Sequence, residues 1–364
     1  MRKKGLCLLI VCLIMAMGLT LTGCATKSSQ SSSVGSAPTT KVIVDAFDRH
    51  VTLPVNINTV APVGGFPLDM SFILAAGEGN KVACGLPSSF GGYHDELLFA
   101  PQLATDPVVQ DNQQQPEMEQ LLKLKPDLVI TDNKSAIKPM EDAGLTVVGI
   151  NYQDFKGTMN IMGEVFNKQQ EIKDLLAYLD SVETLVKQRT ADIPDNQRVS
   201  VLYFDKNSMV RPTTTAEWWI PAAGAISVTK DKPANVQLDY EALLKANPDV
   251  IIEMLNGSVD KDYQDPNMKN LNAVKNHKVY ASPACIHVWG NWTSEQPMMI
   301  LWTAKTCYPD RFKDIDMIKE LGDFYKKFYN CTLTAGQLQQ VFNGVAGEAL
   351  NAGSYTLPST RPGL

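Results

Sequence analysis

The sequence predicts an α/β protein of two related lobes with parallel sheets, joined by one long inter-lobe α-helix. Three observations predict it. Short β-branched runs closed by turn residues alternate with helical patterns, as strands buried on both faces do. The segment 119–130 returns as 241–252 at a constant offset of 122 residues, with seven of twelve positions identical. Between the two copies, Ile172, Leu175, Leu176, Leu179, Val182, Leu185 and Val186 recur three and four apart, and no Gly or Pro interrupts 164–193. Polar side chains (Lys173, Asp174, Asp180, Glu183, Lys187) fill the other face, so this stretch reads as an amphipathic spine between the lobes.

The strands follow in order. Residues 59–63 lead into Gly64 and Gly65, 81–84 end at Gly85, 127–130 end at Thr131 and Asp132, and 146–150 end at Asn151. The second half repeats the pattern at 199–204, 250–252 and 278–281. In each copy of the repeat a short helix is stopped by proline, then comes Asp, then a buried strand. The expected division is 41–157 for the first lobe, 158–193 for the linking helix region, 194–346 for the second lobe and 347–364 for a tail.

The ends of the chain carry a different signal. Arg2, Lys3 and Lys4 precede an apolar run, and Leu21-Thr22-Gly23-Cys24 closes it. A charged start, an apolar core and small residues before the cut make a signal peptide, 1–23, and the cysteine after it makes a lipobox. Cys24 is the expected lipidation site, anchoring the mature protein outside a bacterial cytoplasmic membrane. Residues 24–40, rich in Ser and Thr, read as a flexible tether.

Composition narrows the partners. Loss of the leader takes three of 33 basic residues and no acidic ones, leaving 30 against 39, a net charge near −9. No basic stripe remains for nucleic acid, and no later apolar run is long enough to span a bilayer. Cys84, Cys285, Cys307 and Cys331 form no CxxC pair. The compartment permits a Cys307–Cys331 disulfide; buried unpaired thiols are the other reading.

In open α/β lobes, ligands bind beyond the carboxyl ends of the strands. Phe66, Tyr93 and His94 from the first half, and Arg211, His287, Trp289 and Trp292 from the second, are the candidate ligand contacts. His94 and His287 follow strand ends, one per lobe, and are the candidate metal ligands. His50, in a surface hairpin, and His277, in a turn, read as solvated. The fork of the Arg211 guanidinium suits an anion, with Lys134 and Lys230 as weaker candidates. Trp218, Trp219, Trp289 and Trp292 fall in two clusters, and aromatic walls suit a flat or large chelate. HExxH, Walker A and GxSxG motifs are absent, and no GxGxxG follows a strand.

The lipobox, the segment VDAFDRHVTLP, the two E-x-L-L-K-x-x-P-D segments and LNAVKNHKVYASP together resemble the substrate-binding lipoproteins of ATP-driven importers for ferric siderophores, haem, cobalamin and related metal complexes. The resemblance covers about residues 41–345. It implies two Rossmann-like lobes, no enzymatic activity, and a captured iron complex, haem or corrinoid handed to an ABC permease dimer with its ATPase subunits. WTSEQPMMILWTAKTCYPDRF followed by FYKKFY looks like a longer branch, for which a molybdate- or tungstate-type oxyanion is the alternative ligand. A zinc or manganese importer protein fits less well, because such proteins use several cleft histidines. The resemblance also implies that Glu119 and Glu241, each seven residues before the proline of its repeat copy, dock onto basic pockets of the permease. As first-turn carboxylates they also suit the helix dipole, by about 0.3–1 kcal/mol each.

Overall fold

The computed structural model describes residues 39–90, 95–210, 217–233, 235–254 and 256–345. The expected leader, Cys24 as the expected lipidation site, most of the expected tether and the 347–364 tail lie outside the described residues, as do Tyr93, His94 and Arg211.

Two parallel sheets carry the structure. The first is ordered β3-β4-β5, from Val60–Pro62, Leu128–Thr131 and Val147–Gly149. The second is ordered β7-β6-β8-β9, from Ile226–Ser227, Ser200–Phe204, Val250–Glu253 and Val279–Ala281. The strands β4 and β8 are buried at every position, which is why each runs apolar up to its last residue, Thr131 or Glu253, rather than alternating. An antiparallel hairpin, β1 (Thr40–Val44) with β2 (His50–Pro54), stands apart from the sheets. Val51 and Leu53 point inward, and His50 is exposed.

The internal repeat is a structural repeat. Helix α2 (Met118–Leu124) and helix α7 (Tyr240–Ala246) are seven residues each and end on left-handed residues, Lys125 at φ 50° and Asn247 at φ 41°. The Asp that follows each proline does the same work in both copies. Asp127 Oδ2 accepts from the backbone of Asn58 (2.7 Å) and Thr59 (3.1 Å), and its own N–H donates to Thr59 Oγ1 at 2.9 Å. Asp249 Oδ2 accepts from Ser200 N (2.9 Å) and Oγ (2.7 Å), and its N–H donates to Ser200 Oγ at 3.0 Å. Each thus staples the start of a central strand to its neighbour.

The other helices are α1 (Phe66–Ala75), α3 (Lys134–Asp142), α4 (Phe155–Phe166), α5 (Gln169–Thr190), α6 (Trp219–Ala222), α8 (Val259–Gln264), α9 (Asn272–Lys275), α10 (Gln296–Cys307), α11 (Met317–Phe328) and α12 (Ala335–Phe342). The long helix is α5, 22 residues. It buries Ile172, Leu175, Leu179, Val182 and Val186 against α4 on one side and α6 and α10 on the other. Salt bridges from Arg189 to Asp314 (2.6 Å) and from Arg311 to Asp192 (2.5 Å) tie its end to the second half.

Two expectations need correction. The uninterrupted helix over 164–193 is broken, because Asn167 adopts φ 58° and ends α4 before α5 starts. Asparagine tolerates the left-handed region, so the break carries no Gly or Pro. The strand at 81–84 is a single bridge between Val60 and Val82. The Gln102 side chain takes the carbonyls of Gly79 (2.7 Å) and Val82 (3.1 Å), so this segment's backbone is satisfied without a further strand partner. Among the described residues Cys84, Cys285, Cys307 and Cys331 are all free thiols.

Candidate functional site

The carboxyl ends of the first sheet converge on a pair of carboxyl groups that sequence reading missed. Asp132 follows β4 directly, and Asp69 lies in the first turn of α1. The Gly65 N–H donates to Asp132 Oδ1 at 2.9 Å. Gly64 sits at φ +125°, where a Cβ would stand 2.3 Å from Asp132 Oδ1, so glycine is required. Gln110 holds Gly64 from both sides, accepting its N–H at 2.9 Å and donating to its carbonyl at 3.1 Å. Asp69 is wholly buried, and its carboxyl faces that of Asp132. Burial first, and then the charge of Asp132, hold its carboxyl well above the usual carboxylate range. The half-buried phenol of Tyr152, after β5, is raised by burial and by the same two acids.

In the second half the equivalent ground is the loop from Ser282 to Glu295, between β9 and α10. Ser282 Oγ accepts the Gly290 N–H at 3.3 Å, and the Trp219 indole donates to the Gly290 carbonyl at 3.2 Å. A Cβ on Gly290 would stand 2.3 Å from the Tyr203 hydroxyl, so only glycine lets this loop lie on β6. His287 Nε2 lies 2.8 Å from Asn291 Nδ2. The amide nitrogen can only donate, so with Nδ2 turned toward the ring Nε2 is the acceptor and the proton sits on Nδ1. Burial pushes the His287 pKa down to about 4, leaving a neutral imidazole.

The aromatic residues divide. Trp219 and Trp289 are fully buried in the core, as is Phe66, so their side chains pack the scaffold beneath the site. The part-buried pair is Trp218 and Trp292, stacked with ring centroids 5.0 Å apart and planes 25° from parallel. The two sequence clusters thus meet through one member each. Trp218 also lines a cavity of about 630 Å³ along the outer strand β7, with Arg198, Glu217, Ser227 and Lys230. Glu217 accepts from the hydroxyls of Ser227 (2.7 Å) and Thr229, fixing the carboxyl end of β7. A second pair of buried acids, Glu253 and Asp262, flanks the end of β8, both raised first by burial.

The two halves meet through buried polar groups. The Ser294 N–H donates to Ser71 Oγ at 3.0 Å, and Ser294 Oγ donates to the Ser71 carbonyl at 2.7 Å and also contacts the Tyr329 hydroxyl. The next residue, Glu295, is fully buried and accepts from the Tyr325 hydroxyl at 3.2 Å. Burial pushes its carboxyl up to about 7, against hydrogen bonds that favour its charge. An unfolded glutamate titrates near about 4.3, so between there and pH 7 the unfolded state sheds a proton that the fold retains. Stability therefore falls as pH rises across this window. Glu295→Gln is expected to leave stability unchanged near pH 4 and to gain about 3 kcal/mol relative to the parent by pH 8. Denaturant unfolding of both proteins at each pH checks this; a constant difference contradicts it.

Of the remaining candidates, His277 is exposed, in a turn at φ 54°, with its ring on Tyr263. Lys134 is exposed over the Phe47 ring. Glu119 and Glu241 are both exposed and occupy the second position of α2 and α7. Among the described residues no group of three or more His, Cys, Asp or Glu side chains is placed to hold a metal ion. No helix among them is long and apolar enough to cross a membrane.

A family model described as "Periplasmic binding protein" matches residues 88–284, more than half of the chain. The molybdate-binding protein MolA of Haemophilus influenzae is 27% identical over 329 residues, which cover 81% of this chain and 92% of that protein. An uncharacterized ABC transporter substrate-binding lipoprotein of Bacillus subtilis, YvrC, is 24% identical over 81% of this chain and 95% of its own length. The crystal structure of a periplasmic solute binding protein from Veillonella parvula superimposes with a TM-score of 0.72 at 26% identity, covering 86% of this chain and 98% of that one.

Proposed function

The chain belongs to the periplasmic binding protein family as an ABC importer's substrate-binding protein, and we propose that it is a lipid-anchored, extracytoplasmic subunit that captures a small oxyanion of the molybdate or tungstate type. The observation that carries the ligand is the match to a molybdate-binding protein along 92% of that protein's length. The fold suits capture: two parallel sheets present glycine-bound loops beyond their strand ends. By side-chain chemistry Arg211 is the proposed charge-assisted contact to the anion, with Tyr93 and His94 as further proposed contacts. No residue is assigned a catalytic role.

The stacked Trp218–Trp292 pair favours a second reading, an iron complex, haem or corrinoid. A tetrahedral anion needs no aromatic surface, whereas a chelate uses one, and a cavity of about 630 Å³ beside it is ample for a drug-sized ligand. Calorimetry with molybdate, tungstate, ferric citrate and haemin separates the two. We expect one-to-one binding of molybdate and tungstate. Binding of ferric citrate or haemin alone, with quenching of tryptophan fluorescence, transfers the assignment to the second reading. Binding only of sugars or peptides overturns both.

A further inference from the structure

The exposed large hydrophobic side chains among the described residues are Val42, Val44, Val108, Leu122 and Leu244. The last two are the same position of the internal repeat, 122 residues apart, and are exposed to nearly the same degree, 42% and 45%. Neither is needed by its own helix. Leu121 and Leu243, one residue earlier, are the buried anchors of α2 and α7. Gln, Lys or Arg would serve the helix about as well as leucine at a solvated position. Burial also repeats around them: in both copies the leucine before is buried, the lysine after is exposed, and the proline is buried.

Each leucine lies three residues after an exposed glutamate, Glu119 or Glu241, on the same helix face. The chain thus displays two copies of one small patch, an apolar knob beside a carboxylate. We propose that Leu122 and Leu244 are the apolar anchors of the permease interface, each entering a hydrophobic socket beside a basic group, one on each subunit of a two-fold permease dimer. This rests on the docking reading for Glu119 and Glu241. Two equal patches on one chain fit a partner that itself carries two equal sites. Seating each leucine in a socket would remove its exposed apolar surface from water, at about 25 cal/mol per Å².

The test uses the full mature protein and the cognate permease–ATPase complex in nanodiscs. Leu122→Gln and Leu244→Gln are each expected to weaken docking about ten-fold, and the double variant about a hundred-fold. The loss should be the same at low and high salt, unlike that from the glutamates, because exposed charges are screened and apolar burial is not. The thermal midpoint and molybdate titration should be unchanged, and Val108→Gln should dock normally. If the leucine variants dock normally while Glu119→Arg with Glu241→Arg does not, the anchors are refuted and the docking reading stands. If neither set alters docking, both fail. If the parent protein is a dimer in solution that the leucine variants dissociate, the knobs serve a second copy of this chain, and the proposal is overturned.

Discussion

Reversing Glu119 and Glu241 together to arginine is expected to abolish transport and stimulation of the importer's ATPase while leaving ligand affinity intact. Both side chains are exposed at the second position of short helices, so folding asks little of them. Losing a favourable dipole contact costs about 0.3–1 kcal/mol at each. At the interface the effect is far larger. Removing one partner of a desolvated charge pair costs about 2–5 kcal/mol, and reversal adds repulsion between like charges. Two sites together should lower docking affinity by about a thousand-fold or more. Each single reversal should give an intermediate defect, because the docking reading assigns each patch to its own permease subunit. Transport into reconstituted vesicles, measured beside titration of the isolated protein, decides between this and a purely structural role. In a structural role, the double variant would transport normally with a slightly lower thermal midpoint.

Cys24→Ser is expected to be all-or-none. In the lipobox reading the acyl chains are carried by this thiol, so the variant should take up no labelled lipid and should appear in the soluble rather than the membrane fraction. Each buried CH₂ contributes about 0.8 kcal/mol, which makes a two-chain anchor stable and an unacylated chain of net negative charge unattached. An unlabelled variant that still sediments with membranes would refute the lipobox reading.

Much of the scaffold was legible before any coordinates. The strands at 127–130 and 250–252 announce themselves because a doubly buried strand has no polar face to disguise it. The face of α5 was readable because Ile172, Leu175, Leu179, Val182 and Val186 keep a helical period. What failed to show was short or non-local. Strand β7 is only two residues, Ile226–Ser227, too few for a pattern. The end of α4 turns on one asparagine backbone, where no breaker residue marks it. The site is harder still. Asp69 and Asp132, Trp218 and Trp292, and Ser71 and Ser294 are each far apart along the chain and meet only through the packing of helices on sheets. Nothing in a local window distinguishes the buried Asp69 and Glu295 from ordinary solvated acids; a carboxylate beginning a largely apolar helix, as in DMSFILAA and EQPMMILW, is the faint trace they leave.

The Ser71–Ser294 clasp bears on how long a captured solute stays. Pulling the halves apart would expose two donors and two acceptors that now satisfy one another out of water, along with the Tyr329 hydroxyl. Each of these hydrogen bonds contributes about 0.5–1.5 kcal/mol net, so together they bias the halves toward their packed arrangement. In the proposed importer role, a permease that separates the two halves would have to break this clasp to empty the receptor.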